Sequence, residues 1–186
     1  MKVASLLLVV LLAGCASQTI EPRYYLLRSN VDLTSGELQP SKDFSMGNVV
    51  IASYMDQRGL VIETAEGDIR GARYNLWAEP LYEGVRSFLY VAIAQAKGED
   101  LLPTNVTKNT IAIDIRIDQM HGSSDGTAHL LAYWWLRRGS EVIGAYRFAE
   151  SQAQSADGYS ALVDAEEVLL SRLAQQIAAS LVAPGT

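Results

Sequence analysis

Hydrophobic and polar positions alternate most plainly between residues 111 and 118, where Ile111, Ile113, Ile115 and Ile117 are interleaved with Ala112, Asp114, Arg116 and Asp118. A period of two places all four isoleucines on one face of a strand. The run 122–126, Gly-Ser-Ser-Asp-Gly, is turn chemistry, so the chain folds back as an antiparallel hairpin into a return strand at 127–137. Arg138-Gly139-Ser140 turns it again, and residues 142–148 complete a three-stranded meander. Upstream, short runs rich in bulky and aromatic residues predict strands at 23–28, 49–55, 60–64 and 72–77. The last two form a hairpin about Glu66-Gly67-Asp68, and residues 29–46 read as loop.

The period changes to 3.6 in two places. After Pro80, which suits the first turn of a helix, Leu81, Val85, Phe88, Leu89, Ala92 and Ala96 trace one apolar stripe that Lys97-Gly98 ends. Leu162, Ala165, Leu169, Leu173, Ile177 and Leu181 trace a second, longer stripe, with Asp157 or Ser160 as its expected cap. The fold class is therefore α+β: an antiparallel sheet, made of strand pairs plus the meander, packed with two amphipathic helices.

The N-terminus has a different logic. Lys2, an apolar run from Val3 to Ala13 and then Gly14-Cys15 follow the order of a secretory signal. The run is too short for a bilayer span, which takes about 20 residues. Leu12-Ala13-Gly14-Cys15 resembles the lipobox of bacterial lipoproteins, and Cys15 is the only cysteine. The resemblance implies cleavage before Cys15 and acylation of it, with several long chains at about 0.8 kcal/mol per buried methylene. Residues 1–14 are then a signal peptide, 15–22 a lipidated tether and 23–183 one α+β domain. Ala16 stands where aspartate would retain such a protein in the inner membrane, so the expected location is the periplasmic face of the outer membrane.

Charge narrows the partners. Removal of residues 1–14 takes away one base, leaving 14 Lys and Arg against 21 Asp and Glu, a formal charge of −7. That balance disfavours nucleic acid and offers no polybasic run for anionic lipids, so the anchor is the acyl chain.

No catalytic constellation emerges, and neither a cofactor nor a metal is expected. His121 and His129 flank a turn, match no ligand spacing and are expected to be solvated. Asp56-Gln57-Arg58-Gly59 beside Tyr54 and Met55 is either a solvated turn or a contact surface, since arginine and tyrosine recur at interface hot spots. Tyr133 and Trp135 share a strand face opposite Leu130 and Trp134. With a helix on each face of the sheet both sets are core; with one face open, Tyr133 and Trp135 mark protein association or lipid contact.

Arg23-Tyr24-Tyr25-Leu26-Leu27, the segment Tyr54-Met55-Asp56-Gln57-Arg58-Gly59-Leu60-Val61 and Trp77-Ala78-Glu79-Pro80-Leu81 together resemble, in order and spacing, the ABC-type transport auxiliary lipoproteins. Met55 stands where leucine is usual in that family. The resemblance implies a non-enzymatic partner of MCE-type systems that move lipid between the two membranes, with Tyr54, Met55, Asp56, Arg58, Trp77, Tyr133 and Trp135 as candidate contacts and self-association into a homo-oligomer as part of the same expectation. The competing readings are a lipid- or small-molecule-binding lipoprotein and a regulator of a cell-wall synthesis machine.

Overall fold

The computed structural model describes residues 20–29, 38–102 and 110–182; the expected signal peptide, Cys15 and the first part of the expected tether lie outside them. In chain order the elements are β1 (Arg23–Tyr25), β2 (Pro40–Ile51), a 3-10 turn (Ser53–Met55), β3 (Gly59–Glu63), β4 (Ile69–Trp77), α1 (Leu81–Lys97), β5 (Asp100–Leu102), β6 (Ile111–Ser123), β7 (Thr127–Arg138), β8 (Glu141–Ala153) and α2 (Tyr159–Ser180).

Strand β6 is the spine. Along one edge it pairs antiparallel with β7, which pairs antiparallel with β8, so the predicted meander is present. Its other edge carries two strands in succession: β2 runs parallel to its first half, and β3 runs parallel to its end through Ile62 and Gly122. The sheet forks there, with β5 parallel beside β2, and with β4 antiparallel and β1 parallel beyond β3. Every pair expected as antiparallel is so, but the joins between them are parallel, and the eight-stranded sheet is mixed. A hairpin turn fixes local pairing; the distant partner is chosen by which apolar faces are completed together.

Both helices lie on one face of the sheet and pack against each other. The isoleucines of β6, with Leu130, Trp134 and Phe148, meet Val85, Leu89 and Ile93 of α1 and Leu169, Leu173 and Ile177 of α2 in one core. Truncating one such aliphatic side chain to alanine costs about 2–5 kcal/mol, because buried contact is lost and a cavity remains that the surroundings only partly fill. The helix ends are tied as well: Lys97 Nζ donates to the Leu181 carbonyl at 2.7 Å, and Trp134 Nε1 donates to Ser180 Oγ at 3.0 Å.

Several boundaries differ from the sequence expectation. Strand β2 begins at Pro40, within the expected loop; Phe44 and Met46 are buried, and proline is tolerated at a strand's first position. The strand expected at 49–55 ends at Ile51, where the 3-10 turn carries Met55 into the core. Strand β8 continues to Ala153. Neither Asp157 nor Ser160 caps α2; the N-cap is Gly158, with no side-chain hydrogen bond.

A candidate docking groove at the 3-10 turn and the entry to α1

Two segments about twenty residues apart in the chain meet in space. The end of β4 runs back beside the start of β3, and the Trp77 N–H donates to the Arg58 carbonyl at 2.7 Å. The next residue, Ala78, donates to the Tyr25 carbonyl at 2.8 Å, so β1, β3 and β4 converge on one corner. This close approach requires Gly59: a Cβ there would lie 2.4 Å from the Ala72 carbonyl oxygen and 2.8 Å from its nitrogen. Between the segments lies a groove of about 260 Å³, walled by Asp56, Gln57 and Arg58 on one side and by Trp77 to Leu81 on the other.

Its walls are held from beneath. Met55 is fully buried and Trp77 nearly so, so these two expected contact residues form the floor and its support, because the 3-10 turn and the last residue of β4 direct them inward. Gln57 Nε2 donates to the Tyr54 carbonyl at 2.8 Å, and its Oε1 occupies the space that a side chain at Gly71 would fill. The Arg58 guanidinium stands 5.9 Å from the centre of the exposed Tyr24 ring. Pro80 opens α1 and accepts from the Glu83 N–H at 3.0 Å, leaving Glu79 at the rim. The exposed groups, Asp56, Gln57, Arg58 and Glu79, form a polar, mixed-charge rim around an apolar floor, the arrangement of a protein-recognition patch.

Tyr54 points away from the groove into a part-buried chain of hydrogen bonds. Its hydroxyl accepts from the Met120 N–H at 3.4 Å and lies 3.1 Å from His121 Nδ1, while His121 Nε2 lies 3.2 Å from Glu63 Oε2. A proton on Nε2 satisfies all of these together: the tyrosine donates to Nδ1 and the imidazole donates to the carboxylate. Burial lowers the His121 pKa and raises that of Tyr54. The order carboxylate, imidazole, hydroxyl matches that of a catalytic relay, with a phenol in the place of the usual aliphatic hydroxyl. The chain acts as a tie between the 3-10 turn, β3 and β6.

His121 was expected in solvent and is 5% exposed. Strand β6 runs on to Ser123, and a register shift at Asp118 changes which residues share a face, bringing His121 opposite His129 with ring centres 5.7 Å apart. His129, half-buried, stands between Ser123 Oγ at 3.1 Å and Ser151 Oγ at 2.8 Å. Among the described residues no group of three or more His, Cys, Asp and Glu is arranged to hold a metal.

Tyr133 and Trp135 lie elsewhere, on the sheet face away from both helices, half-buried and stacked at 6.4 Å with their planes 19° apart. No helix among the described residues covers that face.

Sequence reasoning offered Gln57 only as part of the segment 56–59, and missed Glu79 as a groove residue and Glu166 as a buried carboxyl. Glu166 had a legible signal, since it stands four residues from both Leu162 and Leu170, within an apolar helical stripe. The groove had none, because nothing local says that residues 58 and 77 touch.

Residues 24–178 match the family described as ABC-type transport auxiliary lipoprotein component. The chain is 26% identical over 156 residues to the intermembrane transport lipoprotein PqiC of Escherichia coli K12, covering 82% of each, and the Shigella flexneri protein of that name matches equally. A crystal structure of an uncharacterized protein superposes with TM-score 0.75 at 20% identity, covering 87% of this chain and 99% of that one. Protein XCC0632 from Xanthomonas campestris superposes with TM-score 0.65 at 12% identity over 83% and 92%. The groove and the helix-covered sheet thus sit within a shared fold, and the chain belongs to the ABC-type transport auxiliary lipoprotein family.

Proposed function

We propose that this lipoprotein is the non-enzymatic docking component of an MCE-type intermembrane lipid transport system, anchored through lipid on Cys15 to the periplasmic face of the outer membrane, where it supports envelope integrity. The observation that carries the reading is the convergence of two segments of family resemblance, 54–61 and 77–81, on one groove with an apolar floor and a mixed-charge rim. The name of the PqiC relatives, intermembrane transport lipoprotein, agrees with it. Among the described residues no helix is long and apolar enough to cross a membrane, so an acyl anchor fits the rest of the reading.

Self-association belongs to the same proposal. Strand β8, thirteen residues long, is paired only with β7 among the described residues, and it exposes Val142 and Ile143 without a lysine or proline to discourage pairing.

The test is a photoreactive residue placed at Gln57 in living cells, with exposed Gln175 of α2 as the control position. An adduct with an MCE-domain protein from position 57 and none from 175 supports the proposal. No adduct from position 57, or equal adducts from both, contradicts it.

A further inference from the structure

The face of the sheet that no described helix covers has its own order. Strand registry sets Val50, Arg116, Tyr133 and Arg147 side by side in one row across β2, β6, β7 and β8. The neighbouring row places Asp114, Trp135 and Ala145 together, and the next but one places Gln119, Leu131 and Ala149. The result is a shallow aromatic and aliphatic floor, with Val50, Arg116 and Arg147 exposed along it. A groove of about 530 Å³ runs on from Trp135 toward β2, past Arg116 and Val50.

The charges on this face differ from those of the whole. Asp114 is paired with Arg137 at 2.8 Å and Asp118 with Arg116 at 2.6 Å, while Arg147 has no carboxylate partner among the described residues. Three arginines against two aspartates give this region +1, in a mature chain of formal charge −7. Arg116 and Arg147 lie two strands apart, about 10 Å at Cα, on either side of Tyr133 in the same row. Guanidinium recognises phosphate oxygens in bidentate fashion. Tryptophan and tyrosine settle at the headgroup level of a bilayer, apolar body inward and polar tip outward.

We propose that this open face, centred on Arg116, Tyr133, Trp135 and Arg147, rests on the phospholipid headgroup layer, with the arginines on lipid phosphates and Trp135 at the boundary with the acyl chains. The proposal rests on the lipid anchor at Cys15 and is independent of the MCE partner. From Cys15 to Ile20 is five residues, at most about 18 Å of chain, whereas β7 alone is about 40 Å long. A body held on so short a leash keeps one of its faces against the membrane. A protein partner covering the same face is the alternative that the experiment separates from lipid.

The chain has three tryptophans, and two of them, Trp77 at 5% exposure and Trp134 at 3%, are shielded on the helix side, so a lipid-borne quencher reports on Trp135. The experiment uses the full lipidated chain in vesicles of phosphatidylethanolamine and phosphatidylglycerol with brominated acyl chains. Quenching is expected for the wild type and is expected to vanish in Trp135→Phe. Arg147→Gln should lower the docked-to-undocked ratio about fivefold, and Arg116→Gln with Arg147→Gln about thirtyfold, with near-ultraviolet circular dichroism unchanged. Protein that floats with the vesicles yet shows no quenching overturns the proposal, as does quenching that survives both arginine changes. Protection of Trp135 only when an MCE-domain protein is added makes the face a protein interface and overturns it too. Protein that fails to float contradicts the anchor at Cys15, and so the premise on which this face was assigned.

Discussion

Glu166 carries the largest electrostatic cost in the molecule's interior that the structure identifies, and replacing it should stabilise the protein in a pH-dependent way. It lies on the inward side of α2 at 2% exposure, and its Oε2 has no hydrogen-bond partner among the described residues. Burial, with a smaller contribution from neighbouring Glu167, pushes its pKa up to about 8 from an ordinary value of 4.5. Between those two pH values the folded chain holds a proton that the unfolded chain has released, so stability falls as pH rises. The effect is absent below pH 4.5 and levels off above pH 8. At pH 7 the gap of 2.5 pH units from 4.5 corresponds to about 3 kcal/mol. Glu166→Gln keeps the size and removes the ionisation, so at pH 7 its urea midpoint should rise by about 1–2 M. At pH 4, where both side chains are neutral, the two proteins should agree to within about 1 kcal/mol. Urea titrations of both from pH 4 to pH 9 provide the assay. Parallel curves, with a difference that does not grow between pH 5 and pH 8, would refute the reasoning.

Three further outcomes follow from other contacts. Gly59→Ala should destabilise by about 2 kcal/mol or more, since its Cβ meets backbone rather than a movable side chain, and a lowered thermal midpoint would register it. His121, held neutral by burial, has a folded pKa below the unfolded 6.5, so its contribution is present above pH 6.5 and is lost as pH falls below it. Measured in the Glu166→Gln background, that acid-side slope should disappear in His121→Gln. Asp114 binds both Arg137 Nε at 2.8 Å and the Asn48 N–H at 2.9 Å, so Asp114→Ala should cost about 2 kcal/mol, read by chemical denaturation.

The parts of this molecule that were legible beforehand are those whose signal is local. The isoleucine alternation of β6, the turn residues at 122–126 and the stripes of α1 and α2 each encode one element within a dozen residues. The hairpin of β3 and β4 was legible for the same reason, with Gly67 adopting φ 84° in its turn. The parallel joins were not, because β2 and β3 pair with β6 across long stretches of chain and no turn announces them. The start of β2 was hidden among lysine, aspartate and serine, where two buried apolar residues, Phe44 and Met46, carry the strand signal alone. His121 was misplaced because β6 runs on to Ser123 through what read as the flank of a turn, and because Tyr54 and Glu63, distant in the chain, meet its ring. The motif residues around Arg58 and Trp77 were each visible as unusual; that they wall one groove is a property of the packed sheet corner. The two candidate faces for Tyr133 and Trp135 could be separated only by knowing that both helices choose the same side.

The central claim is that the groove at Arg58 receives an MCE-domain protein. Equilibrium binding of that protein to the detergent-solubilised full chain, wild type against Arg58→Glu, tests it most directly. A specific complex that weakens by at least about tenfold in the variant, with its thermal midpoint unchanged, is the predicted result. Equal binding by both proteins, or no binding by the wild type, would contradict the account.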